Sequence, residues 1–181
     1  RQFSGKDPES AAKEWCKGLG RAEKIGSVPA AEIYSGAHWK ESLAAEGSGK
    51  QMGYESELWV LSAGYSLIQA SQNIVPYSAS FSPGEDSIHN LNWPEDFSPT
   101  KRAREWWQLL SEKLKRPSVT RFKNLGPKSV VLFILSKEYY KAIESDLIEL
   151  ISADTNLFII SAGLYREIGS MSPIVRPYIL P

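Results

Sequence analysis

Two unbroken apolar runs, separated by a helix-length segment, constrain this chain more than any other feature. Residues 129–136 read SVVLFILS and residues 157–161 read LFIIS. Between them Tyr140, Ile143, Leu147, Leu150 and Ile151 recur at helical spacing across residues 137–152. Strands that are apolar throughout, rather than alternating, are those covered on both faces, as in a parallel sheet. The segment therefore predicts a βαβ unit with a right-handed crossover. A third run of the same kind, ELWVLS, occupies residues 57–62. The expected fold is α/β: three layers, a mostly parallel sheet flanked by helices. At 181 residues one domain spanning 1–181 is expected. The chain begins with Arg1 rather than Met, and the reading allows for a further N-terminal strand ahead of it.

The runs also echo each other. Leu58-Trp59-Val60-Leu61-Ser62-Ala63-Gly64 parallels Leu157-Phe158-Ile159-Ile160-Ser161-Ala162-Gly163, and each is followed by a Pro-Tyr pair, Pro76-Tyr77 and Pro177-Tyr178. Two equivalent strand-loop units are expected.

Helices announce themselves by their ends. Asp7-Pro8 is a cap followed by the residue best suited to a first helical position. Ala11, Ala12, Trp15, Cys16 and Leu19 then form an apolar stripe, with Gly18 and Gly20 as the stop. A second helical stretch covers residues 29–46, interrupted at Gly36, and Gly47-Ser48-Gly49 reads as a mobile loop. Ser98-Pro99 starts another helix, with Ala103, Trp106, Trp107, Leu110 and Leu114 inward and Pro117 as its end. Residues 83–99 form a long polar loop, a type that is often functional.

Several chemistries drop out. Cys16 is the lone cysteine, so no intrachain disulfide forms and a reducing, cytoplasmic setting is expected. Its place beside Trp15 suits a packed, inert thiol. His38 and His89 are the only histidines and make no zinc pattern with it; neither metal nor cofactor is expected. Gly47-Ser48-Gly49-Lys50-Gln51 has Ala44 and Gln51 where a phosphate loop needs Gly and Ser or Thr. The longest strictly apolar run, residues 130–135, is far below the ~20 residues of a membrane helix, and no membrane association is expected. The oligomeric state stays open.

Lys+Arg and Asp+Glu both number 21, but the charge is not evenly spread. Residues 101–128 hold nine cations against Glu105 and Glu112, a local excess of +7. Lys101, Arg102, Arg104, Lys115, Arg116 and Arg121 are the candidate contacts to phosphate, since such a stripe releases counterions from nucleic acid. The plainer alternative is a solvated face.

Ligands of open α/β sheets bind outside the carboxyl ends of the strands. The three runs end there in Ser62, Ser136 and Ser161, and Gly64 and Gly163 would let backbone approach a ligand closely. Tyr65, Tyr77 and Ser78 bring rings and hydroxyls, a surface that stacks a flat heterocycle and bonds its edges. Ordinary turn and cap roles remain the alternative. Asp86 and His89, three apart in the long loop, are candidates for proton transfer.

Residues 29–39 (PAAEIYSGAHW), residues 57–68 (ELWVLSAGYSLI) and residues 74–81 (IVPYSASF) resemble, in order, motifs of the YaaA-like family related to bacterial peroxide-stress proteins. That family carries A-x-x-L-Y-x-G, a strand ending S-A-x-Y-G-L, and a following P-Y. Ser66 stands where the family has Gly, and the family's first strand has no counterpart after Arg1. The resemblance implies an α/β fold and association with DNA. It extends to DpdC-type proteins of phage-defence operons that handle 7-deazaguanine, which hydrate the nitrile of 7-cyano-7-deazaguanine in DNA to the amide. On that implication Ser62, Tyr77 and Asp86 are the catalytic candidates, and Gly64, Tyr65, Ser78, Ser161 and Gly163 bind the modified purine. The rivals are a non-catalytic nucleic-acid-binding module of a defence or stress operon and a small-molecule nucleoside enzyme.

Overall fold

The computed structural model describes residues 3, 5–123, 125–126, 128–151, 153 and 156–160. Ser161, Gly163, Pro177 and Tyr178 lie outside the described residues.

Helix α1 spans Pro8–Ala22, and Asp7 caps it by accepting the Ser10 amide at 2.9 Å. Gly18 and Gly20 do not stop it; they sit inside its last turns. Strand β1 (Val28–Pro29) leads into the short α2 (Ala30–Ile33). Gly36, at φ 90°, separates α2 from α3 (Ala37–Gln51). The expected mobile loop Gly47-Ser48-Gly49 is helical, forming the last turns of α3. That helix has no fully buried residue, so its apolar periodicity was too weak to mark its end.

Strand β2 (Trp59–Ser62) turns back through Ala63, Gly64 and Tyr65 into β3 (Ser66–Gln69), an antiparallel hairpin with Ser62 opposite Ser66. Strand β4 (Asn73–Ile74) pairs antiparallel with β1. After a 3-10 turn at Ile88–Asn90 comes α4 (Pro99–Lys113), capped by Ser98 as expected. Its stop precedes Pro117: Lys115 takes φ 51°, and the amides of Lys115 and Arg116 bond back to Glu112 and Ser111. That is a Schellman termination with a lysine in the left-handed position usually given to Gly. A second 3-10 turn (Val119–Phe122) precedes β5 (Val131–Ile134), α5 (Lys137–Ile151) and β6 (Leu157–Ile160).

The fold is thus a mixture of helices and small sheets. The βαβ expectation holds in order and strand direction: β5 and β6 are parallel, Val131 opposite Leu157, with α5 between them in the chain, but the pair is not covered on both faces, since Leu132 and Phe158 are exposed. The strands of the described residues form three two-stranded ladders rather than one sheet, and two of the three are antiparallel. Strand β2 reads as apolar throughout because the hairpin is packed from both sides, not because it lies within a parallel sheet. The echo strands accordingly pair differently, β2 in a hairpin and β6 beside a parallel neighbour.

Two apolar clusters hold these pieces. The larger gathers α1, α4, α5 and the β5–β6 pair around Trp106, Trp107, Leu110, Ile143 and Leu150. Both tryptophans are core, as their place on the α4 stripe requires. The long polar loop also contributes, through Ile88, Leu91 and Trp93. The smaller cluster joins Leu19, Ala30, Val60, Tyr65, Ile68 and Ile74. Trp15 packs against both, so α1 links the two halves of the interior.

Candidate functional site

The turn after β2 is held by hydrogen bonds from above and below. Trp15 Nε1 donates to the Gly64 carbonyl and Trp106 Nε1 to the Ala63 carbonyl, both at 2.8 Å. Ser62 Oγ accepts the amides of Gly64 (3.2 Å) and Tyr65 (2.8 Å). A hydroxyl has two lone pairs and one proton. With both lone pairs taken, Ser62 directs its proton to Tyr77 Oη, 2.7 Å away. Tyr77 in turn donates to Tyr34 Oη at 2.9 Å. The result is a directed chain, Ser62 to Tyr77 to Tyr34.

Burial pushes the Tyr77 hydroxyl well above the ordinary phenol range, and neighbouring Tyr34 adds to the effect while Ser62 opposes it. Burial likewise raises Tyr34, against bonds from Ser62 and Tyr77. Tyr139, at the start of α5, is raised by burial and by Tyr77, with the Ala63 amide working the other way. Near neutral pH these phenols are donors, not phenolates, and Ser62 has no base beside it to become a nucleophile.

The Gly64 position explains itself. A Cβ there would lie 2.5 Å from the Tyr77 ring and 3.1 Å from Trp15. Close approach was expected of this glycine, but the group that approaches is the protein's own Tyr77. Tyr65 is fully buried, its hydroxyl accepting the Val75 amide at 3.1 Å, and it supports the Tyr77 ring from within. Ser66 adopts φ 61°, the left-handed conformation, where the resembled family has glycine. Its hydroxyl meets Ser111 Oγ at 2.5 Å, and Ser111 donates to the Trp107 carbonyl.

Tyr77 also borders a groove of about 680 Å³ between α1 and residues 75–78. Phe3, Trp15, Pro76, Tyr77 and Ser78 wall it, Glu14, Lys17, Gly18 and Arg21 line the α1 side, and Lys6, paired with Glu14, lines it too.

The remaining sequence candidates are scattered. Asp86 is exposed on the loop of residues 80–88, whose neck is closed by the Ser80 amide bonding to the Asp86 carbonyl at 2.9 Å. Its carboxylate makes no hydrogen bond or ion pair to Ser62, Tyr77 or His89 among the described residues. His89 Nε2 donates to the Phe81 carbonyl at 3.0 Å, which leaves Nδ1 buried without a partner among the described residues. Burial lowers the His89 pKa, with the Phe81 bond opposing. Ser136 Oγ is also buried without a partner among the described residues. Cys16 is packed as expected, its thiol pushed up by burial.

The basic stripe is substantially compensated. Lys101 meets Asp96 (3.6 Å), Arg104 meets Glu144 (3.2 Å), Lys113 pairs with Glu9 and Lys123 with Glu149. Arg102 donates to the Phe97 carbonyl, and Arg121 lies 4.2 Å over the Trp59 ring. Arg116 Nε is buried without a hydrogen-bond partner among the described residues, and Lys115 is exposed at the end of α4. No group of acidic, His or Cys side chains among the described residues could hold a metal, and none of their helices is long and apolar enough to cross a membrane.

Trp15 and Tyr139 join the site from α1 and α5, and Tyr34 from just beyond the end of α2, none of them a candidate from the sequence. Trp15 belonged to an apolar stripe, and Tyr34 carried a signal only through the resembled motif. Compared with models of known families, with curated proteins and with solved structures, the chain matches none.

Proposed function

We propose that this is a YaaA-like, nucleic-acid-associated protein of the cytoplasm that acts on a modified purine, hydrating the nitrile of 7-cyano-7-deazaguanine in DNA to the amide. The finer fold, a three-layer α/β domain with a mostly parallel sheet, belongs to the same reading, with β5–α5–β6 as one of its units. The observation that carries it is the directed hydroxyl chain from Ser62 through Tyr77 to Tyr34, beside a groove walled by rings.

Water oxygen bonds to the nitrile carbon, the nitrile nitrogen takes a proton, and the imidic acid formed tautomerises to the amide. The sum is addition of one water, without oxidation or reduction, so the reading assigns no cofactor. A phenol kept neutral is suited to protonating the nitrogen, and Asp86 is proposed as the base for water, although no hydrogen bond ties its loop to the hydroxyl chain among the described residues. The base must displace the Tyr77 ring from Gly64 to reach Ser62 and the Gly64 amide. It must also be unstacked or single-stranded.

The test is incubation with DNA carrying 7-cyano-7-deazaguanine, then mass spectrometry of the released nucleosides. A gain of one water is expected, with Tyr77→Phe and Asp86→Asn each slowing it about 100-fold while binding is retained. An unchanged mass overturns the reaction. A second reading, a non-catalytic DNA-binding module, is favoured by one observation: every lone pair and proton of Ser62 already has a partner, the two turn amides and Tyr77. DNA binding without a mass gain selects it. Turnover of the free nucleoside that is indifferent to salt selects a small-molecule enzyme instead.

A further inference from the structure

The acids and bases of α1 are not matched to each other. Glu9 is paired with Lys113 from α4, and Glu14 with Lys6. Lys13, Lys17 and Arg21 are exposed and have no ion pair among the described residues. They recur every four residues, so they climb one side of the helix in steps of about 6 Å. Glu23 is the remaining acid of this segment and stands beyond the helix end.

The last two rungs of this ladder border the groove, and Lys13 continues the ladder beyond it. Lys17 and Arg21 form its lip, and Phe3, Trp15 and Tyr77 form its walls. Gly18 lies between the two cations and also faces the groove. Glycine inside a helix is destabilising by roughly 1 kcal/mol relative to alanine. A Cβ at Gly18 would meet nothing within 4 Å, so internal packing does not require glycine there; its absence of a side chain keeps the groove clear.

We infer that the α1 groove is a binding site for single-stranded nucleic acid, with the sugar-phosphate backbone tracking Lys13, Lys17 and Arg21 and an unstacked base lying against Trp15 and Tyr77. Ring walls take single-stranded bases, whose faces are open, whereas duplex bases are already stacked. The inference rests on the nucleic-acid half of the proposed function. It moves the phosphate contacts from the stripe at residues 101–128, where four cations are neutralised internally, to a helix whose cations are not.

The test is fluorescence anisotropy of the full chain with a labelled, unmodified DNA strand of about ten nucleotides, within the usual span for such grooves. Lys17→Ala/Arg21→Ala is expected to weaken binding at least tenfold. It should also lower the magnitude of the salt slope by about 1.4, at roughly 0.7 for each phosphate that is no longer neutralised. Gly18→Phe is expected to fill the groove and weaken binding similarly, with helix content and thermal midpoint kept. Wild-type affinity in either variant overturns the site. So does equal affinity for the matching duplex, or an affinity that follows Arg102→Ala/Arg104→Ala/Arg116→Ala instead. Binding that follows α1, with no mass gain on modified DNA, leaves this site standing and removes only the hydration reaction.

Discussion

The turn after β2 and the lip of α1 share one residue, Trp15, and treat polar groups in opposite ways. In the turn, Ser62, Gly64, Tyr65, Tyr77 and Tyr34 satisfy one another at 2.7–3.2 Å. On the lip, Lys17 and Arg21 face solvent with no acidic partner among the described residues. A closed network fixes one arrangement of the chain. Unmatched surface charge adds little to stability and stays available to a ligand. The contrast separates what holds this region rigid from what it can offer to a partner.

The same substitution should have opposite signs in the two places, and that is the strongest way to break the contrast. Gly64→Ala drives a methyl into the Tyr77 ring and should cost about 1–3 kcal/mol. Gly18→Ala enters open space and should stabilise by about 0.5–1 kcal/mol. Urea denaturation of both variants measures this, and a shared sign would refute the distinction.

Ser66 sharpens the comparison by dividing strain from bonding within the turn. Ser66→Ala keeps the left-handed strain and loses the bond to Ser111, and should cost about 1 kcal/mol. Ser66→Gly loses the same bond but relieves strain of similar size, so it should lie within about 0.5 kcal/mol of the parent. Thermal melts that rank glycine below alanine would contradict the assignment.

The smallest expected effect is in pH dependence. Burial depresses the pKa of His89 in the folded state, so acid protonates the unfolded chain first. Its contribution is fully present above the ordinary histidine value near 6.5 and is lost as pH falls through the folded value. His89→Gln should flatten that part of the stability profile. Calorimetry between neutral and mildly acidic pH tests it, and an unchanged slope would exonerate His89.

Much of the local structure was legible in the residues. Asp7-Pro8 and Ser98-Pro99 mark helix starts that the structure has, because a cap needs only its own amides. The stops were less legible. Gly18, Gly20 and Gly47 look like breakers but lie within helices whose surroundings override a weak local penalty. Among site candidates, the cluster of Ser62, Gly64, Tyr65 and Tyr77 was visible as a hydroxyl- and ring-rich stretch. Its partners Trp15, Tyr34 and Tyr139 were not, since each arrives from a separate helix or helix end.

The order of residues alone determined the βαβ unit, the capped starts of α1 and α4 and the inward face carrying Trp106 and Trp107. These depend on spacing within a few turns of chain. Tertiary structure alone decided that β2 folds into a hairpin, that Tyr77 covers Gly64, and that Glu9, Asp96, Glu144 and Glu149 pair with four of the stripe's cations while Lys17 and Arg21 stay unmatched. Charge pairing and ring packing act through space, between segments that sequence spacing does not relate.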